Sequence, residues 1–411
     1  MRGRGRRRGA FVPPTEVFVN SRTARRFLVA PDKFKGSLTA AQAAGHLAAG
    51  LLGRAPGAAV RVLPVADGGE GTVDAVVAAG FERRTLLVDG PLGDPVQASF
   101  ALRDGTAVVE LAQASGLDRL PGGRPAPLRA GTRGTGQLIA AALDAGARTV
   151  VLGVGGSAST DGGTGMLTAL GARFTDAAGH PLAEGGGALT GLVRADLSGL
   201  DPRLAATGLV LASDVDNPLL GPAGAAAVYG PQKGASAQQI QQLEQGLRRL
   251  VEVLPGPAGA AARRPGAGAA GGTGFAALAC LGAVRRRGID VLLEATGFGA
   301  ALADADLVIT GEGSLDAQTL QGKAPAGVAA AARRHGVPVV AVCGRLTLDE
   351  AGLATLGVGR AYPLSALEPD PARSMAGAGP LLERLGARIA EDFGAGSRAP
   401  GTPAPGAGPV D

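Results

Sequence analysis

Short apolar runs rich in Val, Ile and Leu alternate along most of the chain with longer Ala/Leu stretches of helical period. The runs at 27–30, 60–66, 149–154, 208–213, 306–310, 337–342 and 360–363 read as strands. Helical patterns cover 38–52, 137–145, 166–171 and the polar stretch 237–254. Thr39, with Gln42 three positions on, makes a capping box for the first of these helices. Three further runs, at 85–88, 96–102 and 107–111, follow one another with no helix between them and predict antiparallel or mixed pairing. Strand–helix alternation at both ends of the chain argues for a parallel sheet, while the middle has a different texture. The expected architecture is therefore α/β with two domains. A Rossmann-like parallel-sheet domain is built from both chain ends (26–85 and 290–393), and a mixed-sheet α/β domain (86–289) is inserted into it. Residues 1–25, rich in Arg and Gly, and 394–411, rich in Pro, Gly and Ala, read as disordered extensions.

Composition supports a packed protein and narrows its class. Of 411 residues, 45% are hydrophobic and 18% charged, enough for cores and too few charges for a solvated polymer. With no Trp and only Tyr229 and Tyr362, the core must rest on Val, Leu and Ala, and so few rings argue against a stacking platform for single-stranded nucleic acid. Glycine takes 69 positions, so close backbone approaches are expected. No apolar run approaches the ~18 residues of a membrane span, so a soluble protein without a membrane partner is expected. Cys280 and Cys343 offer neither a metal spacing nor a disulfide framework, which fits a reducing compartment. His46, His180 and His335 are isolated, which argues against zinc chemistry and a Ser-His-Asp triad. His335, beside Arg334, reads as a helix C-terminal cap.

The charge is unevenly placed. Eight arginines against Glu16 give the first 26 residues a charge of +7, so the rest of a chain of net +5 carries −2. The basic character belongs to the N-terminal extension, which reads as a disordered arm, a transit peptide or a nucleic-acid-binding arm.

Polar and small residues gather at the predicted strand exits, where open α/β sheets bind ligands. Lys33 and Lys35 precede a helix N-terminus, a place that favours phosphate or carboxylate, and read as anion ligands or as solvated turn residues. Lysine is otherwise nearly absent; the remaining two, Lys233 and Lys323, also sit beside Gly-rich loops. The segment 155–165, with Gly155, Gly156, Ser157 and Asp161, has the composition of a phosphate cradle or of a Gly-rich turn. Asp67/Glu70, Asp214/Asp216 and Glu312/Asp316 are acid pairs at loop spacing, suited to Mg²⁺ or to Asx-turns and caps. Gly322-Lys323 is followed by Ala324, so it is not a Walker A loop. The GxGxxG at 266–271 follows Arg263-Arg264-Pro265 rather than a strand, which argues against a nicotinamide dehydrogenase.

These motifs together resemble the type I glycerate kinases. The matching stretches are Ala30-Pro-Asp-Lys-Phe-Lys-Gly-Ser-Leu-Thr39, Pro64-Val-Ala-Asp-Gly-Gly-Glu-Gly-Thr72 and Glu110-Leu-Ala-Gln-Ala-Ser-Gly-Leu117. They continue with Gly153 to Met166, Asp214-Val-Asp-Asn-Pro-Leu-Leu-Gly221, Gly230-Pro-Gln-Lys-Gly234 and Gly268 to Phe275, and end with Thr310 to Asp316 and Gln321-Gly-Lys323. The resemblance implies ATP- and Mg²⁺-dependent phosphorylation of D-glycerate in a cleft between two α/β domains of a cytoplasmic bacterial enzyme, as monomer or homodimer. The implied product is 2-phosphoglycerate, with the 3-phosphate or another small hydroxy acid as alternatives. On this resemblance Lys33 and Lys35, with the backbone of 155–165, bind anionic oxygens. Asp214 or Asp216 serves as base or Mg²⁺ ligand. Glu312 and Asp316 complete a metal or nucleotide site, and Lys233 and Lys323 offset phosphate charge. Asp67, Gly68, Gly69, Glu70 and Asn217 join the substrate or nucleotide contacts. Where the family pattern leads one to expect arginine, this chain has Ser314. The rival reading from another class is a protein associated with nucleic acid through the Arg-rich arm.

Overall fold

The structure is a computed structural model that describes residues 24–393. All but residues 24 and 25 of the N-terminal extension, and the whole of the C-terminal one, lie outside the described residues. The chain opens with strands β1 (Arg26–Pro31) and β2 (Ala59–Val62), then enters β3 (Glu82–Asp89), β4 (Pro95–Arg103), β5 (Thr106–Glu110) and β6 (Thr149–Gly153). A short antiparallel ribbon of β7 (Arg173–Thr175) and β8 (Arg194–Asp196) precedes β9 (Gly208–Ala212) and β10 (Val284–Arg286). The chain closes with β11 (Leu307–Leu315), β12 (Val339–Leu346) and β13 (Arg360–Pro363).

Two main sheets result. The first, in the order β13-β12-β11-β1-β2, is parallel throughout and joins the two ends of the chain. The second runs β10-β9-β6-β5-β4-β3, parallel from β10 to β5 and antiparallel from β5 to β3. This is the α/β, mixed-sheet architecture expected from the pattern.

Helices Ala40–Arg54 and Ala378–Asp392 cover one face of the first sheet. Ala40–Arg54 starts at the expected box, with the Thr39 side chain accepting from Gln42 N–H and the Gln42 side chain from Thr39 N–H. Helix Gly288–Ala295 lies between the sheets: Ile289 and Leu293 pack with Leu63 and Val328, while Val291 and Leu292 pack with Val108 and Val151. The far face of the second sheet carries Arg133–Asp144, Ala237–Val253 and Thr273–Cys280. The polar 237–253 stretch is helical because one stripe, Leu243, Leu247 and Leu250, is fully buried.

Several boundaries differ from the sequence reading. The 60–66 run ladders as a strand only to Val62, then stays extended while Leu63 and Val65 donate to Val29 and Pro31. The 306–310 run continues through Gly311-Glu-Gly-Ser-Leu315, and the 337–342 run continues to Leu346. Parallel ladders use main-chain groups, so the glycines that suggested a loop do not interrupt them. Arg345 accordingly lies within a strand. His335 does cap its helix, Ala324–Arg334.

Candidate active site

The carboxyl ends of the first sheet open on a cleft of about 540 Å³. Asp32, Lys33 and Lys35 follow β1, Asp67 follows the β2 run, and Glu312, Gly313 and Ser314 come from β11. Lys323, at the start of helix Ala324–Arg334, also lines it, as do Leu364, Ser374, Met375 and Ala378. The structure thus brings together Lys33, Lys35, Asp67, Glu312 and Lys323 of the expected site residues, and adds Asp32.

The acids here repel one another. Burial and the charge of Asp67 raise the Asp32 carboxyl well above the ordinary range, although its oxygen accepts Lys33 N–H at 2.6 Å. Glu312 is raised by burial, opposed by a hydrogen bond from Thr319 Oγ1 at 2.6 Å. The cations are held near these acids. Lys33 Nζ donates to Glu70 Oε2 at 2.7 Å and to the Glu70 carbonyl at 3.2 Å. Lys323 Nζ sits 3.9 Å from both Glu312 Oε2 and Asp316 Oδ1.

Glycine lets the Asp67 loop touch the second sheet. A Cβ on Gly155 would lie 2.5 Å from Gly69 Cα, and one on Gly153 would lie 2.6 Å from Gly68 O. Gly68 itself has φ +93° and faces Ala212 O. The loop after β2 is therefore seated, backbone on backbone, at the ends of β6 and β9. It is continued by helix Thr72–Ala78, whose Gly71 and Val73 N–H groups both donate to the buried Glu110 carboxylate. Burial pushes Glu110 up to about 6. This acid, at the end of the apolar run 107–111, was not singled out by the sequence reading.

The polar side chains of 155–165 turn inward instead of lining the cleft. Asp161 is fully buried and accepts from Thr132 N–H and Oγ1 at 3.0 and 2.7 Å, and from Gly163 and Gly165 N–H at 3.1 and 3.2 Å. Lys233 is 2% exposed, donates to Ser157 Oγ at 2.9 Å and to the Ser159 carbonyl, and is pushed down to about 7 by burial. Asp161, Ser157 and Lys233 thus hold the Gly-rich loop from within. Gly156 faces Glu70.

After β9, Asp214 and Asp216 part company. Asp214 is pushed up to about 6 by burial and by the charge of Asp67, against Arg287 at 3.7 Å; its Oδ1 is buried with no hydrogen-bond partner. Asp216 is exposed and pairs with Arg285 at 2.7 Å. Asn217 is occupied by Tyr229 Oη, which donates to Oδ1, and by the Ala223 carbonyl, which accepts from Nδ2. Arg287 was also unforeseen: it links Asp214 to the Gly322 carbonyl at 3.3 Å, joining the second sheet to the loop before Lys323. No group of three or more His, Cys, Asp or Glu with metal-cage spacing occurs among the described residues.

Carboxylates and ammonium groups converge on the strand ends of an α/β fold, the place where such sheets bind ligands. The model of the glycerate kinase family matches residues 27–394. Glycerate kinase of Bacillus subtilis (strain 168) is 49% identical over 337 residues, 81% of this chain and 88% of the relative. Glycerate 2-kinase of Escherichia coli (strain K12) is 45% identical over 329 residues, 79% of this chain and 86% of the relative. A crystal structure from Salmonella typhimurium LT2, named for glycerate kinase 2, aligns with a TM-score of 0.76 at 41% identity, covering 91% of this chain and 99% of that one. The chain belongs to the glycerate kinase family, and it is a phosphotransferase with an alcohol group as acceptor.

Proposed function

We propose that this chain phosphorylates D-glycerate at the 2-hydroxyl with ATP and Mg²⁺, in the cytoplasm. The observation that carries the reading is the mixed lining of the cleft, where three mutually repelling acids, Asp32, Asp67 and Glu312, occur together with Lys33, Lys35 and Lys323. The raised carboxyls of Asp32 and Glu312 suit a divalent cation, whose charge would relieve their repulsion. Mg²⁺ is usually held by one or two carboxylates together with substrate phosphates, and the cleft offers such carboxylates. One or two of Asp32, Asp67 and Glu312 would hold the ion, which would neutralise charge on a transferring phosphoryl group. Asp316 is assigned instead to positioning Lys323.

Lys33, Lys35 and Lys323 bind anionic oxygens of the two reactants. Asp214, whose Oδ1 makes no hydrogen bond, accepts the proton of the attacking hydroxyl, and Arg287, 3.7 Å from that oxygen, orients it. The exposed Asp216 and the internally bonded Asn217 are left out of the reacting group. Asp161, Ser157 and Lys233 act through the loop they brace. The domains, 26–85 with 290–393 and 86–289, would close on the reactants and exclude water that would otherwise accept the phosphoryl group.

The deciding experiment measures ATP consumption by the purified chain with Mg²⁺ and D-glycerate, and reads the product by phosphorus NMR. Glycerate-dependent turnover to the 2-phosphate is expected. Folded protein without glycerate-dependent turnover overturns the substrate, and a 3-phosphate product overturns the regiochemistry.

A further inference from the structure

Two strands of the first sheet outrun their neighbours. β1 is last paired where Pro31 meets Gly311, and β13 where Pro363 meets Cys343, but β11 and β12 stay paired as far as Leu315 and Leu346. They form a two-stranded tongue at the mouth of the cleft. Its root is pinched by glycine: a Cβ on Gly344 would lie 2.6 Å from Gly313 O.

The glycines also change which residues face which side. Before them, Val308, Ala341 and Cys343 belong to the core under helix Ala324–Arg334; beyond them, Leu315 and Leu346 do. Adjacent strand residues alternate faces, so Ser314 and Arg345 project from the other side. That is the side of Leu364 and Ala378, which wall the cleft. Ser314 and Arg345 are register partners, about 5 Å apart as neighbouring strands are. Ser314 lines the cleft and is small. Arg345 is exposed, and among the described residues it makes no ion pair or hydrogen bond.

We propose that Arg345 reaches across Ser314 and binds the paired anionic oxygens of a reactant in the cleft, as a specificity-determining residue of the phosphoryl transfer. The guanidinium fork matches a carboxylate and a phosphate equally, so the group it takes is the carboxylate of the hydroxy acid or a phosphate of the nucleotide. A longer side chain at 314 would occupy the space that the arginine crosses. The inference rests on the kinase reading above for its reactants.

D-Glycerate and ATP are titrated separately by calorimetry into the wild type, Arg345→Ala and Arg345→Lys, with unfolding midpoints measured alongside. Arg345→Ala is expected to weaken one of the two ligands by about tenfold or more, with Lys regaining part of the loss and the midpoint unchanged. Weaker D-glycerate binding assigns the carboxylate; weaker ATP binding assigns the phosphate. Wild-type affinity of Arg345→Ala for both ligands overturns the proposal. Absence of glycerate-dependent turnover in the wild type would defeat the substrate reading alone, because the ATP titration still decides Arg345.

Discussion

Lys33 Nζ lies 2.7 Å from Glu70 Oε2, so the ammonium that follows β1 is held against the loop that follows β2. Both side chains remain about one-third exposed, so the pair contributes about 0–1 kcal/mol to stability. Its value lies in aim. Lys33→Ala is expected to lower kcat/KM about 10–100-fold, and Glu70→Gln by less, with both denaturation midpoints near wild type. Full kcat/KM in Lys33→Ala would remove it from the site.

Asp214 provides the sharpest pH test. Its carboxyl is raised to about 6, so it is ionised above that pH and protonated below, and kcat should fall as pH drops through about 6. Asp214→Asn should reduce kcat by at least about 100-fold. Because burial disfavours the charged form, the neutral variant should unfold at pH 7 no more easily than wild type. A kcat profile that keeps its acid limb in the residual activity of Asp214→Asn would assign that limb elsewhere.

Lys233 is a test of the loop brace. Its amine is lowered to about 7 from an ordinary 10.5, so burial of the ammonium opposes folding fully below pH 7. That opposition fades as pH rises towards 10.5, and the wild type should gain stability over this interval. Lys233→Met should flatten this dependence in denaturation curves taken at pH 7 and pH 9. It should also lower kcat by freeing Ser157 and the Ser159 carbonyl. An unchanged slope between the two pH values would contradict the buried-amine account.

Gly155→Ala places a methyl carbon 2.5 Å from Gly69 Cα, and neither neighbour is a flexible side chain that could yield. A cost of about 1–3 kcal/mol is expected, with a lower kcat/KM because the Asp67 loop must move. Gly53→Ala, whose Cβ meets nothing within 4 Å, serves as the control. Equal behaviour of the two variants would show that the contact is slack.

Much of this site was legible because open α/β sheets gather ligands at strand exits. Lys33, Asp67 and Glu312 each stand just beyond an apolar run or within its end, and the fold brings them to one cleft, where Asp32 joins them. What the sequence concealed was orientation. Asp161 and Ser157 sit in a Gly-rich segment and looked like ligands, yet the four donors that turn Asp161 inward come from its own loop and from Thr132, 29 residues away. Asp214 and Asp216 are alike in spacing, and only tertiary packing buries the first and exposes the second. Glu110 reads as the polar end of a strand until the N–H groups of Gly71 and Val73 are seen to converge on it. β11 and β12 were cut short because glycine marks turns in loops, whereas within these strands it permits close passage.

The contact between Gly69 and Gly155 makes main-chain thickness the gauge of the gap between the loop after β2 and the end of β6. No side chain separates the two, so the seating of the Asp67 loop on the second sheet cannot be adjusted in small increments. Any substitution inserts a shim whose thinnest size is a methyl group. A descendant adapted to a bulkier hydroxy acid would have to keep that seating and enlarge the cavity where Leu364, Ser374 and Met375 present side chains that can be trimmed.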